Sequence, residues 1–165
     1  MNFGMVSNPK KSVTVNFSSE KVLATFKKLV EGLHANDTHL VKPTYKIETF
    51  NEVLMQLTLS ATELFSLGVS IDINLEEVSA EKTTITVEVK RNFGSFDESG
   101  EVQLANDHIT NIFKTISELL MDPDKDYAPV RQAAADAQAE STSKQWQIIG
   151  WIFLVFVLLV MMANC

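Results

Sequence analysis

The sequence predicts an α+β domain: an antiparallel sheet of about five strands with two helices packed on one face, in the order β-α-β4-α, plus one C-terminal transmembrane helix. Three observations carry this. Several short runs alternate apolar and polar residues strictly, as strands with one buried and one wet face do. Two longer segments repeat apolar residues at helical spacing. The last charged residue is Lys144, beyond which the chain is almost wholly apolar.

The first strand is read from Val13, Val15 and Phe17 alternating with Ser12, Thr14 and Asn16. Ser18 or Ser19 then caps a helix, and Glu20 in its first turn suits the positive end of the helix dipole. Val22, Leu23, Phe26, Leu29, Val30 and Leu33 make a single apolar stripe, which predicts a helix over 19–34. Four strands follow the polar stretch 35–38. Tyr45, Ile47 and Thr49 alternate with Lys46 and Glu48, and a turn at 50–52 leads into Val53, Met55, Leu57 and Leu59. After a connection over 61–68, Val69, Ile71, Ile73 and Leu75 alternate with Ser70, Asp72, Asn74 and Glu76. A polar turn at 79–82 joins this strand as a hairpin to Ile85, Val87 and Val89, which alternate with Thr84, Thr86, Glu88 and Lys90. Residues 92–100 read as a loop and 102–104 as a short extended piece. Asn106 or Asp107 caps the second helix, whose stripe is Ile109, Ile112, Phe113, Ile116, Leu119 and Leu120, and Asp122-Pro123 ends it.

This order of elements, over residues 12–121, resembles the TATA-box-binding-protein repeat and the START-like helix-grip lipid binders. The resemblance lies in topology, and no sequence motif of either family accompanies it. It implies a pocket between sheet and helices, on the face carrying Val69, Ile71, Ile73, Val87 and Phe113. With only five main strands and two helices, the expectation is that side chains fill that space.

The remaining segments are an N-terminal arm (1–11), a tether (122–145) and a membrane span (146–163). The arm has no apolar run of signal-peptide length, and its glycine is at position 4 rather than 2. The tether is rich in Ala, Asp, Gln and Ser and has almost no large apolar side chain. The apolar run 148–163 reads IIGWIFLVFVLLVMMA, and with Trp146 and Gln147 it is long enough for about 27 Å of helix, near the lower limit for a bilayer core. Trp146, Trp151, Phe153 and Phe156 are the expected anchor residues, the tryptophans at the interface. Arg131 and Lys144 precede the run and no basic residue follows it, which places the N-terminal domain in the cytoplasm as in a tail-anchored, single-pass protein.

Charge and composition exclude some function classes. The net charge is −7, all of it upstream of Trp146, which disfavours nucleic acid as a partner. The single cysteine, Cys165, permits no internal disulfide. His34, Asp37 and His39 lie close together but lack a recognised ligand spacing, and Asp122, Asp124 and Asp126 open like a calcium loop that Tyr127 and Ala133 then break. His108 reads as a surface residue. No nucleophile elbow or phosphate loop is present, so no catalytic residue, metal or cofactor is expected. What remains is the wet sheet face, with Glu48, Gln56, Asp72, Asn74, Glu76, Thr84, Thr86 and Glu88, and the loop residues Phe93 and Phe96. These form the candidate partner surface. The sequence therefore points first to a membrane-tethered, non-enzymatic interaction module with a protein partner or a second copy of itself. The alternatives are a START-like binder of lipid or another small apolar ligand, and an enzyme of unknown type.

Overall fold

A computed structural model describes residues 7–36, 43–62, 68–92 and 99–129 of the chain. Five strands make one antiparallel sheet: β1 (Lys10–Val15), β2 (Thr44–Asn51), β3 (Gln56–Thr62), β4 (Val69–Ser79) and β5 (Lys82–Arg91), in the spatial order β1-β5-β4-β3-β2. Helices α1 (Ser19–Asn36) and α2 (Ser99–Met121) pack against each other and against one sheet face. The α+β reading and the one-sided packing hold.

The local reasons are visible in the residues. The Ser18 hydroxyl accepts the Lys21 N–H, and the Ser18 carbonyl accepts the first helical bond from Val22, so Ser18 is the N-cap of α1. The stripe Val22, Phe26, Leu29 and Leu33 is fully buried. Against it lie the inward residues of the three central strands, among them Leu57, Leu59, Ile71, Ile73, Ile85 and Val87, all essentially without solvent contact. α2 adds Ile109, Ile112, Ile116 and Leu120 to the same core. β4 begins at Gly68, whose φ of +76° is open to glycine but strained for other residues, and a Cβ there would meet the Ala61 carbonyl oxygen at 3.0 Å.

Several boundaries differ from the sequence expectation. α2 begins at Ser99, so Val102 and Leu104 are helical and Asn106 and Asp107 sit inside the helix rather than capping it. The apolar spacing did run back through Val102 and Ala105, but Gly100 and the polar residues around it masked that signal. β3 starts at Gln56, because the turn occupies 52–55 and leaves Val53 89% and Leu54 60% exposed. Asn51 Oδ1 accepts the Leu54 N–H there, and Met55 adopts φ 51°. In β2 a register shift between Ile47 and Thr49 changes the alternation: Tyr45 and Phe50 face the core, and Ile47 is 41% exposed. A bulge of this kind adds a residue that hydropathy alone does not reveal.

Residues 126–165 form a separate compact unit, described only as far as residue 129. Its first residues turn on Asp126, whose Oδ1 accepts the Ala128 N–H. Among the described residues no helix is long and apolar enough to cross a membrane. The expected span with Trp146, Trp151, Phe153 and Phe156, most of the tether, and Asp37, His39, Phe93 and Phe96 all lie outside the described residues.

Candidate ligand-binding site

The two helices do not cover the sheet evenly. α1 lies against β2, β4 and β5, and α2 rests on α1 and β5. The edge strand β1 is left with its inward residues half-buried: Val13, Val15 and, just past the strand, Phe17. Between this margin and the last turns of α2 runs a groove of about 190 Å³. Its floor is Val13, Val15 and Ile85; its helical wall is Phe113, Ile116 and Leu120; Phe17 and Met121 close the end nearer the helix terminus. The polar groups on its lining are the Ser117 side chain and Lys11. Lys11 shares the inward parity of Val13 and Val15, and its Nζ stands 5.8 Å from the centre of the Phe113 ring.

A wider hollow of about 650 Å³ lies beyond Phe17, lined by Asn16, Ser18, Ala80, Glu81 and Lys82. It is more open and no more than half apolar, so the smaller, mostly apolar groove is the better apolar site. Lys21 stacks its ammonium 4.3 Å from the Phe17 ring centre at the divide between the two.

Away from this margin the core residues have little or no solvent contact, and among them lies one polar cluster that the sequence did not reveal. His108 is 2% exposed, not on the surface. Its Nδ1 and the Tyr45 hydroxyl share a hydrogen bond of 2.8 Å, and the two rings meet edge to face. His34 Nε2–H donates to the Tyr45 carbonyl at 3.3 Å and its ring also packs edge-on to Tyr45. His34 is thus engaged with β2; among the described residues no metal-holding cluster occurs, and Asp37 and His39 lie outside them. The signal for His108 was its position one residue before Ile109, on the flank of the α2 stripe. Its burial depends on a tyrosine 63 residues away, beyond the reach of periodicity.

The outer sheet face gathers the eight predicted residues Glu48, Gln56, Asp72, Asn74, Glu76, Thr84, Thr86 and Glu88. Much of its polarity is satisfied across strands. Ser12 pairs with Thr86 and Thr14 with Thr84 through their hydroxyls, at 2.8 and 2.9 Å. Ser60 donates to Glu48 and Asn8 to Glu88. Asp72 sits at the centre, accepting Thr58 at 2.8 Å and Lys90 at 2.7 Å. Partial burial acts to raise the Asp72 carboxyl, but the hydrogen bonds from Lys90 and Thr58 and the Lys90 charge together hold it below its ordinary value. Gln56, Asn74 and Glu76 make no side-chain bond among the described residues, so they are the residues of this face most available to a partner.

By sequence the chain matches no known family and no curated protein. By structure it is similar to Ara h 8.0201, at 19% identity and a TM-score of 0.52, covering 69% of this chain and 97% of that one. It is likewise similar to a START superfamily protein from Mycobacterium smegmatis (9% identity, TM-score 0.51, 70% and 98% covered). A conserved protein from Geobacillus kaustophilus is a third, at 14% identity and a TM-score of 0.51, with 69% and 95% covered. At these identities the likeness concerns the fold alone, and the fold of this domain is START-like, of the helix-grip type.

Proposed function

We propose that the domain binds a small apolar ligand in the groove between β1, β5 and α2, as a binding module rather than a catalyst. The observation that carries this is the uncovered inward face of β1: Val13, Val15 and Phe17 remain half-buried beside a helix wall that presents Phe113 and Leu120. The START-like fold supports this reading better than it supports the interaction module that the wet sheet face first suggested.

The site sets the size of the ligand. At roughly 30 Å³ per water- or methylene-sized group, a groove of 190 Å³ takes about six of them. Burying about six methylenes is worth roughly 5 kcal/mol gross, at about 0.8 kcal/mol each. Association and ordering costs offset much of that, so affinity in the high micromolar to millimolar range is the expected scale for a minimal ligand. A whole sterol or a two-chain lipid does not fit, because the interior under α1 is already filled by Phe26, Leu29, Leu59 and Ile73.

We further propose that the apolar run 148–163 holds this module at a membrane with the domain on the cytoplasmic side. The support is the sequence: a charge-free stretch bounded by Trp146 and preceded by Lys144. Tethering would raise the local concentration of the module near ligands that partition into or out of that membrane.

The test is a titration of the full chain with 1-octanol, read at assigned methyl signals so that adsorption to other apolar segments is distinguished. Shifts at Val13, Val15 and Ile85 that saturate together, without shifts at Ile71 and Ile73, are expected. Val15→Glu, which puts a charge on the groove floor, is expected to abolish them. No saturable shift at the groove methyls would remove this reading.

A further inference from the structure

We infer that the groove selects a singly charged anion on a short apolar body, of which a free medium-chain carboxylate is the simplest, with its head group held by Lys11. This rests on the ligand-binding reading above and adds the chemical class of the ligand.

Four observations lead there. First, the alternation of β1 places Lys11, opposite Val87, on the inward side with Val13 and Val15, where an apolar residue is expected in a covered sheet. Second, its ammonium makes a ring contact with Phe113 but has no carboxylate partner among the described residues, unlike Lys90 and Lys125, which are paired with Asp72 and Glu118. Third, Lys11 is the one charged residue on the groove lining, and nothing there repels an anion. Fourth, Ser117 supplies the other polar side chain on that lining.

The same facts restrict the anion. One ammonium supplies a single positive point charge, which matches one negative charge on the ligand and leaves a second uncompensated. The chain as a whole carries −7, a field that opposes a dianion or polyanion more than a monoanion. A cationic or neutral amphiphile gains nothing from Lys11. The apolar body lies along Val13, Val15 and Leu120, and the 190 Å³ of the groove shelters about six of its carbons, the rest of a longer chain remaining in water.

The experiment compares octanoate, 1-octanol and octylammonium on the full chain, each read at the methyl signals of Val13, Val15, Ile85 and Leu120. Octanoate is expected to bind up to about five-fold more tightly than octanol at low salt, with the advantage shrinking as salt is added. Lys11→Met is expected to bring octanoate and octanol together, and Lys11→Glu to make octylammonium the preferred ligand of the three. Lys11 is exposed at the strand edge, so both variants keep the fold, which the unchanged signals of Ile71 and Ile73 report. If octanol binds the groove as tightly as octanoate in the unaltered chain, or if Lys11→Met leaves the preference intact, the anion assignment is wrong while the groove reading stands. If none of the three shifts the groove methyls, the groove reading itself fails.

Discussion

The centre of the inner sheet face and its β1 margin are built from the same residue types, yet one is sealed and the other open. Under α1, Leu59, Ile71 and Ile73 have no solvent contact; Val13 and Val15 carry the same kind of side chain and stay half-buried. The difference lies in coverage. Adjacent strands are about 4.8 Å apart and a helix with its side chains is about 10 Å across, so two helices span roughly the width of this sheet only if laid side by side over it. Here α1 reaches across to β2 and α2 follows it, resting on β5. β1 is the strand left over. An edge strand exposed in this way normally carries charge to discourage pairing, and Lys10 and Lys11 meet that need while one of them also faces the groove.

The largest expected effect tests the contrast directly. Ile73→Ala leaves a cavity in packed surroundings and should cost about 2–5 kcal/mol in denaturant unfolding. Phe113→Ala removes a larger side chain, yet one already half open to solvent, and should cost less than Ile73→Ala, about 1–2 kcal/mol, because its site has no closed cavity to leave. Its effect on octanoate binding should instead be large. If Phe113→Ala proves the more destabilising of the two, the margin is as closed as the centre and the groove is not a preformed site.

The buried polar cluster gives the next effect. Tyr45→Phe keeps the ring against His34 and His108 but removes the hydroxyl that meets His108 Nδ1. A lost buried hydrogen bond with its partner left behind should cost about 1–3 kcal/mol. His108→Phe in addition should recover part of that loss, measured as a double-mutant cycle, since both polar groups are then gone. Recovery of nothing would mean that the cluster is not held by this bond.

Much of this architecture was legible in the residues. The five strands, two helices and one-sided packing followed from period-two and period-3.6 patterns. The β4–β5 hairpin and the cap at Ser18 lay close to where the residues placed them. What escaped was non-local. The bulge after Ile47 changed which of Tyr45, Thr49 and Phe50 face inward, and no hydropathy pattern encodes an inserted residue. The burial of His108 depends on Tyr45 from the other edge of the sheet. The groove follows from where α2 lies over the sheet, which the stripe on α2 does not specify. One sign of it stood in the sequence: Lys11 falls on the same parity as Val13 and Val15, a charge where an apolar residue was due.

Acid titration carries the comparison to the outer face. The Asp72 carboxyl is held below its ordinary value, chiefly by Lys90 and Thr58 acting against partial burial. Glu118 is held low in the same way, its burial outweighed by bonds from Lys125 and Asn36 and by the charges of Lys125 and Lys114. A carboxyl with a lowered folded value contributes stability that is complete above the ordinary carboxylate range and is lost as pH falls below about 4 toward the folded value. The Asp72–Lys90 pair faces solvent, so its share should not exceed about 1 kcal/mol. Asp72→Asn should flatten the stability profile below about pH 4 while leaving it nearly unchanged in slope near neutrality. An unaltered acid limb would assign the acid sensitivity to Glu118 and other carboxylates.

The smallest effect is expected at Asn74, and its smallness is informative. Asn74 lies on β4 between Thr86 of β5 and Gln56 of β3, directly behind Ile73 in sequence but on the opposite side of the sheet. Its side chain makes no bond among the described residues, so Asn74→Ala breaks nothing and should change stability by about 0.5 kcal/mol or less. Octanoate binding should also be unchanged, since the groove opens on the other face and beyond β5. Ile73→Ala and Asn74→Ala, one residue apart, should therefore differ several-fold in their cost. A partner that docks on the outer face would be weakened by Asn74→Ala with neither stability nor octanoate affinity altered, and pull-down with the full chain would detect this. Should Asn74→Ala instead disturb the groove methyls, the two faces are coupled through β4 and β5 and the wet face is more than a solvated surface.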